Sequence, residues 1–316
     1  MRIFLAGATG VLGRKLIPKL LERGHHVIGT SSTKNKLSEL KRMGVDPVLM
    51  NGLDRDSVFS AVSDATPDVV VNEMTALSKV RNYKNFDQEF ALTNRLRAEG
   101  TSHLLAASTQ VGVKKVVIQS FAGWPFERSK ALANTEEAPF EPGIPVRMRQ
   151  SQQAIRSMEQ MVLSQRSLVG VVLRYGYFYG PGTSFDAEGE ISKALRKRVF
   201  PLIGGGTAVW SLIHVDDAAE ATRLAIESAP GGIYNITDDR PATVAEWLSG
   251  FASLLNAKQP IKIPRWLGKL VVGESGLYMM TQARGALNAK ARKVLGWIPA
   301  YPDWRSGFAA TLEKAS

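Results

Sequence analysis

The chain contains no cysteine and only four histidines among its 316 residues. The absence of cysteine excludes disulfides, thiolate nucleophiles, zinc–cysteine sites and iron–sulfur ligation. The histidines show no metal-ligand spacing along the chain; they are His25, His26, His103 and His214. We therefore expect no bound metal, and we expect the chemistry to depend on an organic cofactor or on acid–base groups.

Long apolar runs are also absent. No window approaches 18 uninterrupted apolar residues, and the opening MRIFLAGATG reaches its glycines too early for a signal-peptide core. We expect a cytoplasmic protein with no membrane partner. Acidic residues number 29 against 40 basic ones, a net charge of +11, but the basic residues are dispersed. Without a recognisable reader element we expect no nucleic-acid partner, although a phosphate-bearing small molecule would gain from the same positive field.

What the chain does have is a regular alternation. Short Val/Ile/Leu-rich runs such as Arg2–Ala6, Asp68–Asn72 and Lys115–Gln119 are separated by amphipathic segments, including one long helix predicted over Phe86–Ser108. Continuous apolar runs separated by helices are typical of a parallel sheet covered on both faces. The sequence therefore predicts an α/β fold, a doubly wound parallel Rossmann sheet with a smaller, interlaced C-terminal α/β lobe.

A glycine-rich loop follows the first predicted strand. Gly7-Ala8-Thr9-Gly10-Val11-Leu12-Gly13 has G-x-x-G-x-x-G spacing. Such glycines allow a tight turn and a close backbone approach to a pyrophosphate, and the helix that follows offers unpaired N–H groups to the anion. We predict a dinucleotide-binding loop, the alternative being a structural glycine turn. Its candidate contacts are Gly7, Thr9, Gly10, Val11, Leu12 and Gly13.

No acid follows the second predicted strand. An NAD site usually has an Asp or Glu there for the ribose 2′-hydroxyl, whereas this chain has Gly29-Thr30-Ser31-Ser32-Thr33-Lys34-Asn35-Lys36. Hydroxyls and cations suit a 2′-phosphate, which a carboxylate would repel. The sequence favours NADP over NAD as cofactor, the alternative being a polar surface loop. The candidates for the 2′-phosphate are Ser31, Ser32, Lys34 and Lys36.

Two stretches interrupt the alternation. Pro125–Val146, rich in Glu and Pro, predicts an irregular excursion that forms a lid or rim. Gly180–Gly206 is bracketed by GPG and GGG, and there the chain leaves the sheet for the second lobe. We predict an NADP-binding Rossmann domain at 1–179, to which 208–236 returns, and a substrate-binding lobe made of 180–207 and 237–316.

Further segments carry a family resemblance. They are Asn51-Gly52-Leu53-Asp54, RYGYFYGPG at Arg174–Gly182, IHVDDAA at Ile213–Ala219 and LGWIP at Leu295–Pro299. With the glycine loop, and in this order, they resemble the extended branch of the short-chain dehydrogenase/reductase superfamily, the sugar-nucleotide epimerase/dehydratase relatives. The resemblance covers almost the whole chain. It implies more cofactor contacts at the strand ends, namely Asn51, Gly52, Met74, Thr75, Ala76, Gln119 and Tyr175.

The usual catalytic pair of that family is missing. The resemblance implies Tyr-x-x-x-Lys on the helix after the fifth strand, often with a Glu four residues beyond the Lys. Aligning Glu159 on that Glu places Ile155 at the Lys position and Ser151 at the Tyr position. Proton donation from a tyrosine whose ionised form an ammonium favours is therefore not expected here.

Other side chains at the strand ends are candidates to replace the pair. Candidate catalytic residues are Ser120, Tyr177 and Tyr175, although the tyrosines are equally suited to packing a strand end. Candidate substrate contacts, which indicate a cleft rich in aromatic side chains, are Trp124, Ser151, Tyr177, Tyr179 and Trp210.

These features predict an NADP(H)-dependent oxidoreductase of the atypical extended type. It would transfer a hydride to or from a small organic substrate, cyclic or aromatic, with a proton donor other than the usual pair. Two alternatives stay open: a non-redox isomerase, cyclase or lyase that retains a bound dinucleotide, and an NAD(P)-sensing regulator without turnover. A homodimer through the helices Phe86–Ser108 and Gln150–Ser164 is the family-like expectation.

Overall fold

The architecture comes from a computed structural model that describes residues 1–80, 82–128 and 131–313. Its strands, in chain order, are β1 Arg2–Ala6, β2 His26–Ser31, β3 Asp46–Leu49, β4 Val69–Asn72, β5 Lys115–Phe121, β6 Ala133–Asn134, β7 Val169–Tyr175, β8 Tyr177–Tyr179, β9 Leu202–Ile203, β10 Val209–Trp210, β11 Leu212–His214, β12 Gly232–Ile236, β13 Ala242–Thr243, β14 Lys262–Ile263 and β15 Gly285–Ala286. Its α-helices are α1 Val11–Glu22, α2 Leu37–Arg42, α3 Arg55–Ala65, α4 Phe86–Glu89, α5 Ala91–Arg95, α6 Thr101–Gln110, α7 Arg149–Leu163, α8 Glu190–Arg196, α9 Val215–Ser228, α10 Val244–Leu254, α11 Arg265–Thr281, α12 Ala289–Leu295 and α13 Trp304–Glu313.

One parallel sheet organises the molecule. Seven of the described strands lie side by side in the order β12-β7-β5-β4-β1-β2-β3, with Leu5 opposite Val71 on one side and Gly29 on the other. The predicted doubly wound parallel sheet is confirmed. Its strand order reverses between β1 and β4, and in such sheets ligands bind at the carboxyl ends of the strands near that reversal.

Both faces of the sheet are covered because its strands are apolar on both sides. The apolar side chains of α1, α9 and α12 pack on one face, where Ile17 and Ile226 are fully buried. The apolar side chains of α3, α6 and α7 pack on the other, around Val62 and Met158. Each such side chain contributes roughly 1.5–3 kcal/mol on burial. Within the described ranges, no helix is long and apolar enough to cross a membrane.

A second core, rich in aromatic rings, lies beyond the carboxyl edge of the sheet. It packs Trp247, Phe251 and Phe308 from the C-terminal helices against Phe86 and Trp124 from the first half of the chain. Short strands frame it as the pairs β8 with β11, β10 with β13, β9 with β14 and β6 with β15. The second core is therefore built by both halves of the sequence.

The single long helix predicted over Phe86–Ser108 is wrong. Phe90 leaves helical geometry, with φ −89° and ψ 0°, and separates α4 from α5. Phe90 stacks on Phe86 at this break, with centroids 4.2 Å apart. A π-helical turn at Leu96–Gly100 then leads into α6. It brings Gly100 close to the turn after β3, since a Cβ at Gly100 would lie 3.3 Å from the carbonyl oxygen of Gly52.

Candidate functional site

The glycine loop holds a shape that only glycine permits. Gly7 has φ +88°, and a Cβ there would lie 2.7 Å from the backbone of Glu73 at the end of β4. Gly10 N donates to the Gly7 carbonyl at 2.9 Å, and a Cβ on Gly13 would meet the loop's own backbone at 2.4 Å. Helix α1 then begins at Val11 with no side-chain cap and no acid in its first turn. Its first N–H groups therefore suit a pyrophosphate.

The end of β2 is a turn of hydroxyls and cations. The hydroxyl of Ser31 is buried and accepts a hydrogen bond from Thr33 N at 3.2 Å, which fixes the turn. Ser32, Lys34 and Lys36 follow it with exposed side chains. This arrangement suits a phosphate monoester better than it suits a ribose hydroxyl.

Arg14 adds a cation that the sequence reasoning missed. Its Nε donates to Glu39 Oε1 at 2.6 Å. This hydrogen bond is the main reason that the pKa of Glu39 lies below its ordinary value, and the charges of Lys36 and Arg42 add to it. Arg14, Lys36 and Arg42 therefore all lie near the carboxylate of Glu39, beside the end of β2. The sequence feature that could have indicated this role is the position of Arg14 directly after Gly13, the third glycine of the loop.

The turns after β3 and β4 touch each other at the carboxyl edge of the sheet. A Cβ at Gly52 would lie 2.5 Å from the sulfur of Met74. The backbone N of Met74 donates to Asn72 Oδ1 at 3.1 Å, which fixes the second turn. The structure thus brings together the predicted contacts Asn51, Gly52, Met74, Thr75 and Ala76, with Gln119 half-buried on the neighbouring β5.

Three of the predicted substrate contacts, Trp124, Tyr177 and Trp210, lie close to one another. Tyr177 stacks on Trp210 with centroids 3.9 Å apart and ring planes at 11°. Phe121 meets Tyr177 edge-on at 5.0 Å and lies 6.3 Å from Trp124. Trp210 Nε1 donates to the carbonyl of Met279 at 2.9 Å, so the stack cannot rotate without losing a buried hydrogen bond. We call Tyr177, Trp210 and Phe121 the aromatic floor.

The hydroxyl of Tyr177 is buried and has no hydrogen-bond partner among the described residues. Burial, with smaller contributions from Tyr83 and Tyr278, raises the pKa of Tyr177 well above its ordinary value. The phenol therefore stays protonated, and its phenolate is disfavoured. It can donate a hydrogen bond to a bound molecule, but it is a weak acid.

Two cavities, of about 460 and 400 Å³, lie between the Pro125–Val146 excursion and α11. Tyr278 lines the smaller one, and its hydroxyl donates to the carbonyl of Trp124 at 3.4 Å. Arg128 lines the larger one. Its guanidinium binds Glu141 within the excursion and also donates to Gln282, which joins the excursion to the C-terminal part of the chain. Their volumes are those of small-molecule sites.

Ser120 turns its hydroxyl into the interior. It donates to Glu159 Oε1 at 2.6 Å. Arg174 binds the same carboxylate with two parallel hydrogen bonds, Nε to Oε1 at 2.8 Å and Nη2 to Oε2 at 2.6 Å. Both charged side chains are 4% exposed. In the structure the hydroxyl of Ser120 therefore supports a buried ion pair.

Tyr175 is likewise engaged in the core. Its hydroxyl lies 2.6 Å from Thr222 Oγ1 and 3.2 Å from Glu73 Oε1. Tyr175 donates to Glu73 Oε1, and Thr222 donates to the carbonyl of Ala218. Burial raises the pKa of Glu73 to about 8, and the hydrogen bond from Tyr175 opposes this shift. Sequence reasoning missed Glu73; its signal was an acid two residues after a run of three valines.

The positions aligned with the family's tyrosine and lysine hold no acid–base group facing a cleft. Ser151 is fully buried and donates its hydroxyl to Asp87 Oδ1 at 2.6 Å. Ile155, one turn later on α7, is fully buried in the second core. Tyr179 also lies in that core, packed on Phe308 at 4.7 Å. The described residues bring no three metal-ligating side chains together.

The sequence is similar to known proteins over most of its length. The sequence profile of the NAD dependent epimerase/dehydratase family matches residues 3–237. The chain is 39% identical over 312 residues to a 3-diazoavenalumate denitrifying reductase of a Streptomyces species, covering 97% of this chain and 99% of the relative. It is 27% identical to a 4-hydroxy-2-methyl-3-oxo-4-farnesyl-3,4-dihydroquinoline-1-oxide ketoreductase of Stigmatella aurantiaca, over 83% of this chain and 74% of the relative.

Solved structures show the same fold. A UDP-glucose 4-epimerase of Thermotoga maritima, solved with UDP-glucose, aligns with a TM-score of 0.77 at 23% identity, over 99% of this chain and 98% of its own. The human epimerase family protein SDR39U1, solved with NADPH, aligns with a TM-score of 0.77 at 21% identity, over 99% of each chain. The parallel sheet, the glycine loop and the match to the family profile lead to one conclusion: the chain belongs to the NAD dependent epimerase/dehydratase family.

Proposed function

We propose that the chain is an NADPH-dependent reductase that delivers a hydride to a flat aromatic substrate lying on the aromatic floor. The observation that carries the proposal is the rigid stack of Tyr177 on Trp210, next to strand ends that hold the predicted cofactor contacts. Flat rings gain from offset and edge contacts with such a surface. The positions of Ser151 and Ile155 supply no acid–base pair beside it.

The cofactor assignment rests on two groups of residues. The loop from Gly7 to Gly13 and the first turn of α1 would hold the pyrophosphate. Ser32, Lys36 and Arg14 would hold a 2′-phosphate, which favours NADP over NAD. When bound, the reduced nicotinamide supplies the hydride.

The cofactor preference can be tested by removing the cations. We expect the double variant Arg14→Ala/Lys36→Ala to bind NADPH about tenfold more weakly or worse, because two charge-assisted contacts to the 2′-phosphate are lost. Binding of NADH should change by less than about twofold. Calorimetric titration of both dinucleotides against both proteins measures this. A parent protein that binds NADH more tightly than NADPH would reject the assignment.

The acceptor that best suits this floor is an aryl diazonium carbon. The relative at 39% identity is named a reductase that removes nitrogen from a diazo compound. In such a step the new C–H bond takes its electron pair from the hydride, while the C–N bond breaks and its electron pair leaves with N₂. The positive charge of the diazonium group cancels the charge of the hydride, so no proton donor is required.

The residues of the floor fit that reaction. The raised pKa of Tyr177 makes it a poor proton donor, which matters little when no alkoxide forms. Its hydroxyl can instead donate a hydrogen bond to a ring substituent. Tyr177 and Phe121 would shield the ring from water, which would otherwise compete with the hydride at the diazonium carbon, while Trp210, itself stacked on Trp247, supports Tyr177.

A second candidate is reduction of a carbonyl group with Tyr177 as the proton donor. Its support is the buried hydroxyl of Tyr177, which lacks a partner among the described residues. The 27%-identical relative named a ketoreductase is consistent with it. Here the developing alkoxide needs a proton, so the phenol would be essential.

The variant Tyr177→Phe separates the two candidates. We expect turnover of the diazonium substrate to fall by less than about tenfold, because the ring stack remains and no proton is transferred. If carbonyl reduction is the reaction, the same variant should lose about 10²-fold or more. The measurement is kcat with each substrate class, and Tyr234→Phe, whose hydroxyl donates to the carbonyl of Pro230 before β12, serves as the matched control.

Isotope transfer tests the function itself. The protein is incubated with NADPH deuterated at C4 of the nicotinamide and with an ortho-hydroxyaryl diazonium carboxylate, and in parallel with a panel of aryl ketones. Deuterium at the former C–N carbon together with release of N₂ supports the first candidate, whereas deuterium in an alcohol supports the second. No label in any product would move the assignment to a non-redox enzyme or a cofactor sensor.

A further inference from the structure

We propose that this protein docks on an anionic lipid bilayer through an exposed surface centred on Trp266, lying on the bilayer rather than crossing it. The Trp266 surface consists of apolar side chains and cations from three chain segments. Its apolar members are Val199, Ile261, Trp266, Leu270 and Val271. Its cations are Lys197, Arg198, Lys258, Lys262, Arg265 and Lys269, all exposed.

The apolar side chains project into solvent. Trp266 is 69% exposed and Leu270, one turn later on α11, is 65% exposed. Val199, on the neighbouring segment, is 68% exposed. The chain has six tryptophans, and the remaining ones are all buried: Trp124, Trp210, Trp247, Trp297 and Trp304. A contiguous exposed apolar patch marks an interaction site more often than scattered single side chains do.

The three segments are neighbours in space. Strand pairing sets Lys262 opposite Leu202 and Ile263 opposite Ile203, so Val199 and Ile261 lie on adjoining stretches just before β9 and β14. A Cβ at Gly268 would meet the side chain of Ile203 at 2.1 Å, which places α11 directly against the same strand. The three segments therefore adjoin one another around β9, with Trp266 and Leu270 on the side of α11 that faces away from Ile203.

The first two turns of α11 form a unit of their own. Gly273 has φ +73°, which breaks the helix. A Cβ there would lie 2.9 Å from Cα of Lys84, so the break is fixed by close packing. The part before it, Arg265–Val272, presents Trp266 and Leu270 outward beside the cations Arg265 and Lys269. Aromatic and aliphatic side chains beside Lys and Arg are typical of helices that lie in a membrane interface.

Charge and shape favour a lipid surface over other occupants. A second copy docked face to face would bring two sets of cations together, which repel. A protein partner would need a groove matched to side chains of which about two-thirds of the surface is exposed, whereas a bilayer accepts projecting side chains of any shape.

The sequence-based expectation of no membrane partner considered only spanning segments. A segment that lies on the surface of a bilayer needs no long apolar run.

The docking face includes the mouth of a cavity. The cavity of about 400 Å³ near Tyr278 is lined by Arg265 and Lys269 of the Trp266 surface and, across the opening, by the exposed Val146. A bilayer bound there would face the cavity and supply apolar small molecules dissolved in it. This inference goes beyond the proposed reductase activity and does not depend on it.

Tryptophan fluorescence tests the docking, because the emission of the exposed Trp266 changes when its indole moves from water into a bilayer. With vesicles of phosphatidylcholine and roughly 30% phosphatidylglycerol, we expect a blue shift of emission and co-sedimentation of the protein. The shift should disappear in Trp266→Phe, since the other tryptophans are buried. Raised salt should release the protein.

Charge reversal provides the matched comparison. Lys197→Glu/Lys262→Glu, at exposed positions that line neither cavity, should lower vesicle binding at least about tenfold. Lys114→Glu/Arg166→Glu makes the same change at exposed positions near the opposite edge of the sheet and should leave binding intact. The proposal is overturned if the parent protein neither shifts nor sediments, or if both double variants lose binding equally. It is also overturned if Trp266 responds to poly-L-glutamate or to protein concentration but not to vesicles.

Discussion

Replacement of Arg174 by methionine is expected to lower the free energy of unfolding by about 3–5 kcal/mol. The guanidinium makes two hydrogen bonds to the Glu159 carboxylate and a third to the carbonyl of Glu136 at 3.0 Å. It also lies over the ring of Phe126, 4.0 Å from the centroid. Methionine fills similar space but leaves the buried Glu159 carboxylate with the Ser120 hydroxyl as hydrogen-bond donor and Arg97 as a charge that makes no hydrogen bond to it among the described residues. Urea unfolding followed by circular dichroism measures the loss.

The exposed pair Arg95 and Glu99 is the control for this prediction. It has the same bidentate geometry, with both hydrogen bonds at 2.8 Å, but the side chains are 56% and 44% exposed. Arg95→Met should therefore cost no more than about 1 kcal/mol. The double variant Arg174→Met/Glu159→Met should recover only part of the loss, because it removes the unpaired carboxylate but also the negative charge that faces the buried Arg97. Equal losses at the two sites would show that burial does not decide the strength of this pair.

The central sheet and the glycine loop were predictable because their signals are local. Short apolar runs rich in valine, such as Val69–Val71 and Val116–Ile118, leave few alternatives to a buried parallel strand. A loop of three glycines after such a strand has a backbone geometry that the residues themselves impose, as the positive φ of Gly7 illustrates.

The directions of the tyrosines were not predictable, because the chain changes partners at Gly176. Simple alternation would place Tyr175, Tyr177 and Tyr179 on one face of one strand. In the structure β7 ends at Tyr175, and β8 pairs with β11 rather than with the central sheet. A Cβ at Gly176 would lie 2.5 Å from the carbonyl oxygen of Ser211, so the switch depends on a residue 35 positions later in sequence. The three rings therefore enter different environments.

Ser151 illustrates a second limit. The family resemblance predicts only that Ser151 occupies the position of a tyrosine. Its hydroxyl and backbone N both bind Asp87, which also accepts from Gln150 N and so caps α7. That partner lies 64 residues earlier in the sequence. Local patterns do not reveal contacts of this range, so only the structure identifies Ser151 as part of a helix cap.

The stability of the protein should fall as pH rises between about 4.5 and 8 because of Glu73. Burial raises its pKa in the folded state to about 8, from an ordinary value of 4.5. Over that interval the native state holds a proton that the unfolded chain has released, so unfolding is favoured by higher pH. The slope from this one group is about 1.4 kcal/mol per pH unit. Below the interval both states are protonated, and above it neither is.

The variant Glu73→Gln isolates this contribution. The amide oxygen can still accept from Tyr175, but the amide does not titrate, so the free energy of unfolding of the variant relative to the parent should rise with pH across the interval and level off above about pH 8. Glu99→Gln is the control, because the pKa of exposed Glu99 lies below its ordinary value and its titration is complete below this range. A difference between Glu73→Gln and the parent that stays constant from pH 5 to 8 would mean that Glu73 is ionised in the fold.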